Sequence, residues 1–371
     1  MPLVEHSSLP TFGDLRRQGQ TVLTLDEARR QGGRAVHVGL LNMMPDAAFQ
    51  ATEQQFLRLV AGSSQPAQFH VHCVTVEGLT RSDATQAYIA RHYEDLASIH
   101  ADGLDALMIT GANLVNPGLE HQAFYRPLTD VIGWATEHVT SVLCSCLSTH
   151  ALMKFLHGID RRPLPAKKWG VYSHQVVAPS HPLLRGIRAP FDVPHSRYNA
   201  ITREQFEEAG LCILIESAEA GVHAAVSEDQ FRRVYFQGHP EYDANSLLKE
   251  YKREILRHFH GERDLPPFPE HYISNAAASV ITRYLEKAHQ AHAAHAPLPD
   301  FPEAGIVPFL GNTWADAAKA IFDNWLGLVY QLTNPDRRLP FKDGVDPRWP
   351  LEALLPAPDT NADFSMERKN R

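Results

Sequence analysis

Ser141-Val-Leu-Cys-Ser-Cys-Leu-Ser-Thr-His-Ala151 begins as an apolar, β-prone run and continues into Leu152, Met153, Phe155 and Leu156, whose spacing is helical rather than alternating. A strand that turns abruptly into a helix, with a nucleophile-type residue at the bend, has the layout of a nucleophile elbow. Cys146 stands at that bend. A helix N-terminus would set unpaired N–H groups and the positive end of the macrodipole beside its sulfur, favouring thiolate over thiol. The same N–H groups could stabilise an oxyanion formed when the thiolate attacks a carbonyl. A buried cysteine at a strand end fits this stretch equally well when it is read alone.

Outward from the elbow, short apolar strands alternate with helices. Ala35–Asn42 reads as a strand, and Pro45 with Asp46 opens a helix whose buried side is Phe49, Thr52, Phe56, Leu57 and Val60. Phe69–Val76 and Leu104–Thr110 read as strands, and Thr85–Ile99 and Gln122–Glu137 as helices. This exchange predicts an α/β fold: a mostly parallel sheet covered by helices on both faces. Ligands of such sheets sit beyond the carboxyl ends of the strands. Asn42–Asp46, Thr110–Asn116 and Cys146 all fall at such ends. Past the elbow helix, Arg161–Lys168 reads as a Pro- and base-rich loop. Val171–Val177, Leu211–Glu216, Val222–Val226 and Arg233–Gln237 read as strands of an antiparallel extension. Helices are expected over 244–260, 276–294 and 314–332. The expected organisation is an extended arm over 1–33 with one short helix near Leu25–Arg30, a main domain over 34–333 whose core ends near 260 and continues as a helical extension, and a Pro-rich tail over 334–371.

The bulk numbers narrow the function. A net charge of −8 over 371 residues offers no basic field for nucleic acid, and no apolar run reaches the length of a membrane span. The first residues lack the pattern of a secretory signal. Four cysteines in a chain this long form no disulfide framework, which points to a reducing, cytoplasmic compartment.

Gly238-His-Pro-Glu241 is the second informative stretch. A strand delivers His239 to a turn held by Pro240, and Glu241 is near enough to fix the imidazole tautomer. Cys, His and a carboxylate are the minimal set for covalent acyl transfer. A hydrogen-bonded loop histidine is the alternative when this segment is read alone.

Several long, ordered segments carry a resemblance: Leu41-Asn-Met-Met-Pro45, Thr52-Glu-x-Gln55, Ile109-Thr-Gly-Ala112, Gly170-Val-Tyr172, Pro194-His-Ser-Arg-Tyr198, Gly238-His-Pro-Glu-Tyr-Asp243, Glu250-Tyr251 with Arg253, and Asn324-Trp325 with Tyr330-Gln331. Over roughly Ala35 to Leu332 the chain resembles the homoserine O-succinyltransferase/O-acetyltransferase family, whose core resembles the flavodoxin-like glutamine amidotransferase fold. The resemblance implies Cys146 as the acyl-thioester nucleophile, His239 as proton acceptor and Glu241 as its partner. It also implies that Lys167, Ser196 and Arg253 contact the amino-acid substrate, that acyl-CoA is a co-substrate with no bound cofactor, and that the protein is a homodimer. The residue types agree. A zwitterionic substrate needs cations for its carboxylate, which Arg253 and Lys167 could supply, and Ser196 can hydrogen-bond an amine or hydroxyl. Read from spacing alone, Arg253 fits an ordinary helix-surface charge better, and Lys167 a solvated basic run with Arg161, Arg162 and Lys168.

The sequence also departs from the family pattern. Leu147 and His150 replace the usual Trp and Gln after the cysteine. Val115 stands where Glu accompanies acetyl-CoA and Gly accompanies succinyl-CoA. Val115 cannot repel a succinyl carboxylate but is bulkier than Gly, so succinyl is the expected donor with acetyl, or serine as acceptor, left open. A glutaminase-type Cys hydrolase is the other enzymatic reading, and a non-catalytic binding module a third. Cys144, two residues before Cys146, would share its face as a redox pair or metal clip, but no Cys/His pair at zinc spacing accompanies it. His289, His292 and His295 fall on one helical face, read as a solvated or dimer-facing surface. No metal centre is expected.

Overall fold

The computed structural model describes residues 3–112, 114 and 118–354. Its strands are β1 (Leu3–Glu5), β2 (Val22–Thr24), β3 (Arg34–Leu41), β4 (Ala67–Val74), β5 (Ala106–Ile109), β6 (Ser141–Ser145), β7 (Arg162–Val176), β8 (Phe191–Ala200), β9 (Cys212–Ser217), β10 (Gly221–Val226) and β11 (Arg233–Phe236). They form a single sheet in the order β2-β1-β4-β3-β5-β6-β11-β10-β9-β7-β8. Pairing is parallel from β2 through to β11 and antiparallel beyond it. The run β4-β3-β5-β6-β11, counted from β3, is the 2-1-3-4-5 order of the flavodoxin-like fold. The expected fold class therefore holds.

The central strands are buried along their whole length, as a parallel sheet with helices on both faces requires. One core packs the helices Asp46–Ala61 and Ala315–Leu332 against one side of the sheet. A second packs Tyr125–His138 and Leu147–His157 against the other. Phe49, Thr52, Phe56, Leu57 and Val60 are all buried, as their spacing predicts. Trp325 is fully buried, and its Nε1 donates to Ser141 Oγ (2.9 Å) at the base of the elbow strand. A third cluster joins Trp169 and Val171 of β7 to the helices Ser246–Phe259 and Asn275–Ala293.

Three expectations need correction. The first 33 residues do not form an extended arm: β1 and β2 extend the sheet, and the helix Pro10–Arg17 buries Phe12 and Leu15. The short helix at Leu25–Gln31 is present, held by a Thr24–Glu27 capping box. The segment Arg161–Lys168 is a loop only in its first residue, because β7 starts at Arg162 and pairs with β8, a strand the sequence reading did not expect. The prolines act as they do at sheet edges, for the register slips between Pro163 and Lys168. The single helix expected over Thr85–Ile99 is two, Asp83–His92 and Leu96–Asp102.

Several histidines are buried in this architecture. Burial, reinforced at His150 and His174 by Arg197, lowers His150 to about 3 and His174 and His181 to about 4. These rings are uncharged when folded, while the unfolded chain takes up their protons below about pH 6.5. The unfolded state then binds more protons, so stability is present above that pH and is lost as pH falls. At pH 4 the loss is roughly 3 kcal/mol per residue, and three such groups together rival the whole stability of a typical domain. We expect the thermal midpoint to drop steeply between pH 6.5 and 4. A midpoint that stays level across that interval would show that these rings accept protons without unfolding.

Candidate active site

The elbow forms as expected. β6 ends at Ser145, Cys146 is the N-cap residue, and the helix Leu147–His157 follows at once. Cys146 has φ 56° and ψ −110°, a conformation costly for a residue with a side chain. Its neighbours impose it: Cys146 N–H donates to Phe236 O (2.8 Å), Ser148 Oγ accepts from Ser145 N–H (2.9 Å), and Thr149 Oγ1 donates to Phe236 O (2.8 Å). Cys146 stays partly exposed while Cys144 is fully buried in the core, so the two do not act as a pair. Burial pushes the Cys144 thiol up to about 12. A Cβ built on Gly111, just past the end of β5, would lie 3.6 Å from Cys146 Cβ and 3.8 Å from Leu147 N. Gly111 thus lies against the elbow, beside the first amide of the helix, which has no acceptor one turn back.

β11 lies beside β6, with Phe236 opposite Ser145, so the turn after β11 opens next to the elbow. His239 sits on that turn, and its N–H donates to Pro194 O of β8 (2.8 Å). Gly238 permits this approach: a Cβ there would fall 2.7 Å from Val193 Cγ1 and 2.8 Å from His195 Nε2. His239 Nδ1 donates to Glu241 Oε1 (2.8 Å), and both side chains are buried. Burial alone would strip the imidazole of its proton. The charges of Cys146 and Glu241, with a hydrogen bond to each, outweigh that and hold His239 well above the usual histidine range. The sign is opposite to that of the structural histidines. The stability His239 contributes is complete below about pH 6.5 and is lost only as pH rises through its raised value. Arg161 and Arg197 are near enough to interact with the charge on Cys146. The three residues predicted to do the chemistry are brought together.

Of the predicted substrate contacts, Lys167 and Ser196 meet on one carboxylate and Arg253 does not. Lys167 lies on β7, and Ser196 pairs with Trp169 on the neighbouring β8. Ser196 Oγ donates to Glu250 Oε2 (2.6 Å), and Lys167 Nζ lies 3.1 Å from the same oxygen and 4.0 Å from the Trp169 ring centroid. The other oxygen of Glu250 accepts from Tyr242 OH (2.8 Å), and the Tyr242 ring stacks on His239 at 4.3 Å. Burial works against the Glu250 charge, but Lys167, Ser196 and Tyr242 outweigh it and lower its pKa. Arg253 is exposed, one turn further along the same helix, and its ion-pair partner there is Glu254 (3.5 Å). Val115 falls outside the described residues.

Glu250 is the residue that sequence reasoning missed. Its signal was a carboxylate flanked by Leu247, Leu248 and Tyr251 on the buried face of an amphipathic helix, a placement that demands a partner. His150 is likewise buried, with Nε2 3.4 Å from Gln237 Oε1.

Comparison with known proteins adds a lineage to this geometry. The family model described as homoserine O-succinyltransferase matches residues 2–335. A homoserine O-succinyltransferase of Methylococcus capsulatus is 56% identical over 352 residues, covering 95% of this chain and 99% of that protein. One of Nitrosococcus oceani is 54% identical over 357 residues, covering 96% of this chain and 100% of that protein. Among solved structures, a glutamine amidotransferase from Methylobacillus flagellatus aligns with 80% of this chain and 95% of its own at 13% identity and a TM-score of 0.44.

Proposed function

Because the chain belongs to the homoserine O-succinyltransferase family, we propose that it moves a succinyl group from succinyl-CoA to the hydroxyl of L-homoserine through a thioester on Cys146, a step of methionine biosynthesis. The observation that carries the mechanism is the strained, partly exposed Cys146 beside the buried, hydrogen-bonded His239–Glu241 pair.

The Cys146 thiolate attacks the thioester carbonyl of succinyl-CoA, and the first amides of the elbow helix accept the developing oxyanion charge. The intermediate collapses to a succinyl-Cys146 thioester as CoA departs with the proton of the His239 imidazolium. Homoserine then binds. His239, now neutral, takes its hydroxyl proton as the oxygen attacks the thioester. Collapse releases O-succinylhomoserine and restores the thiolate and imidazolium. Glu241 keeps the imidazole in the tautomer whose Nε2 faces the reacting atoms.

The Lys167–Glu250 pair with Ser196 is the place for a zwitterion. Glu250 attracts the substrate ammonium and Lys167 its carboxylate, with Arg253 reaching in from the next helical turn. Val115 acts on the choice of acyl donor. No bound cofactor takes part, acyl-CoA being a co-substrate. A cytoplasmic homodimer completes the reading, in keeping with the absence, among the described residues, of any helix long and apolar enough to cross a membrane.

Initial rates with both substrates varied test the proposal. A covalent intermediate gives parallel double-reciprocal lines and CoA release in the absence of homoserine. Intersecting lines would mean direct transfer. Ammonia released from glutamine without CoA would favour a hydrolase instead. Lys167→Ala separates the half-reactions: we expect KM for homoserine to rise roughly 10–100-fold while acylation of Cys146 by succinyl-CoA proceeds at close to its native rate. Equal loss in both half-reactions would remove Lys167 from the acceptor subsite.

A further inference from the structure

Three elements distant in sequence meet at the β1–β4 edge, three strands from the elbow strand. Leu3 pairs in parallel with Phe69, and carrying that register forward brings His6 alongside His72. Glu94 arrives from the segment between the helices Asp83–His92 and Leu96–Asp102.

The hydrogen bonds fix which nitrogens carry protons. His6 Nδ1 lies 3.2 Å from Val4 O, which only accepts, so the proton is on Nδ1 and Nε2 presents a lone pair. That Nε2 is buried, makes no hydrogen bond, and lies 3.5 Å from Glu94 Oε1. Arg337 Nη1, which only donates, lies 2.7 Å from His37 Nδ1, so His37 Nδ1 is an acceptor. His72 Nε2 lies 2.9 Å from the same nitrogen. His72 Nδ1 lies 2.8 and 3.0 Å from Glu94 Oε1 and Oε2, the position of a donor while it carries its proton and of a metal ligand once a cation displaces that proton. A carboxylate and two imidazoles so grouped hold a cation among them, either a proton on a ring nitrogen or a metal ion.

We propose that His6 Nε2, His72 Nδ1 and the Glu94 carboxylate bind one divalent transition-metal ion of the zinc class. The three donor atoms lie within 4.8 Å of one another, and ligands of a tetrahedral zinc site stand about 3.3 Å apart at ordinary bond lengths. Val4 O and His37 hold the other ring nitrogens, the outer-shell arrangement that orients metal-ligating histidines. The Glu94 side chain is one-third exposed, which leaves an entry path and a fourth position for water. Such an ion would pin the N-terminal segment to the sheet. None of its ligands belongs to the acyl-transfer residues.

The test uses the full chain loaded with Zn²⁺, freed of loose ion by gel filtration, with bound zinc counted by elemental mass spectrometry. Glu94→Gln keeps the size and polarity of the side chain but not its charge, and His6→Asn removes the Nε2 lone pair. Cys146 and His239 could themselves take zinc, so the quantity read is the difference between wild type and variant. The expected difference is one ion per chain, with Zn²⁺ raising the melting temperature of wild type more than that of either variant. Native rates of succinyl transfer would certify that both variants are folded. Equal zinc content in wild type and variants, or an equal rise in melting temperature, would overturn the site. Cobalt in place of zinc gives an independent reading as the difference between wild type and Glu94→Gln: intense visible bands lost in the variant support a His/carboxylate site of low coordination number, and identical spectra contradict it.

Discussion

Cys146→Ala is expected to lower succinyl transfer to homoserine by on the order of 10⁴-fold or more, with the fold intact. In the proposed mechanism the sulfur carries the acyl chain between two substrates that need not be bound together. Losing it removes the pathway rather than slowing one step of it. Stability should change little or improve. Cys146 is partly exposed, and Ala is no worse than Cys in the strained φ, ψ that the Phe236 and Ser148 hydrogen bonds impose. Cys146→Ser is the sharper form of the experiment, because a hydroxyl is too weakly acidic to be ionised by the same surroundings. A Cys146→Ala enzyme within tenfold of native rate would place the nucleophile elsewhere.

His239→Asn is expected to reduce kcat/KM for both substrates by about 10³-fold, since one half-reaction gives the imidazole proton to CoA and the other takes a proton from the homoserine hydroxyl. The variant also bears on stability, and here the geometry makes a finer prediction. Glu241 is buried, its Oε2 has no partner, and its Oε1 depends on His239 at 2.8 Å, with Ser145 Oγ at a weak 3.5 Å. Removing the imidazole leaves a carboxylate in the interior without its counter-charge, which costs roughly 3–5 kcal/mol. Neutralising it in the same chain, as His239→Asn with Glu241→Gln, should return most of that stability and none of the activity. If the double variant melts as low as the single one, Glu241 is not held in place by its charge. If His239→Asn slows only the transfer to homoserine, the imidazole serves as base to the acceptor but not as acid to CoA.

What was legible in the sequence was what is local. The elbow is eleven consecutive residues in which a β-prone run meets a helical period, and His239 and Glu241 are two apart on one turn. The parallel core followed from strands long enough to show continuous burial. The edges of the sheet did not. β1 and β2 are three residues each and show no period, and the first half of β7 carries two prolines beside basic residues, which read as a loop. Those prolines sit where the β7–β8 ladder slips, so the local signal was real and its consequence was a bulged edge rather than a loop. Glu250 was visible as a carboxylate on an apolar helix face, but the groups that explain it come from β7, β8 and the turn after β11. The three proposed metal ligands sit at 6, 72 and 94, a spacing that matches no compact motif. Only the parallel register of β1 on β4 brings the two histidines side by side. Arg253, placed by resemblance at the substrate, is an exposed residue paired with Glu254.

The central claim is that the acyl group rests on one sulfur between two half-reactions. Digestion and mass spectrometry of the enzyme after brief exposure to succinyl-CoA, without homoserine, test it directly. The account predicts one succinyl group on the peptide bearing Cys146, discharged on adding homoserine and cleaved by neutral hydroxylamine. A turning-over enzyme that carries no succinyl group under these conditions, or carries it on a residue other than Cys146, would contradict it.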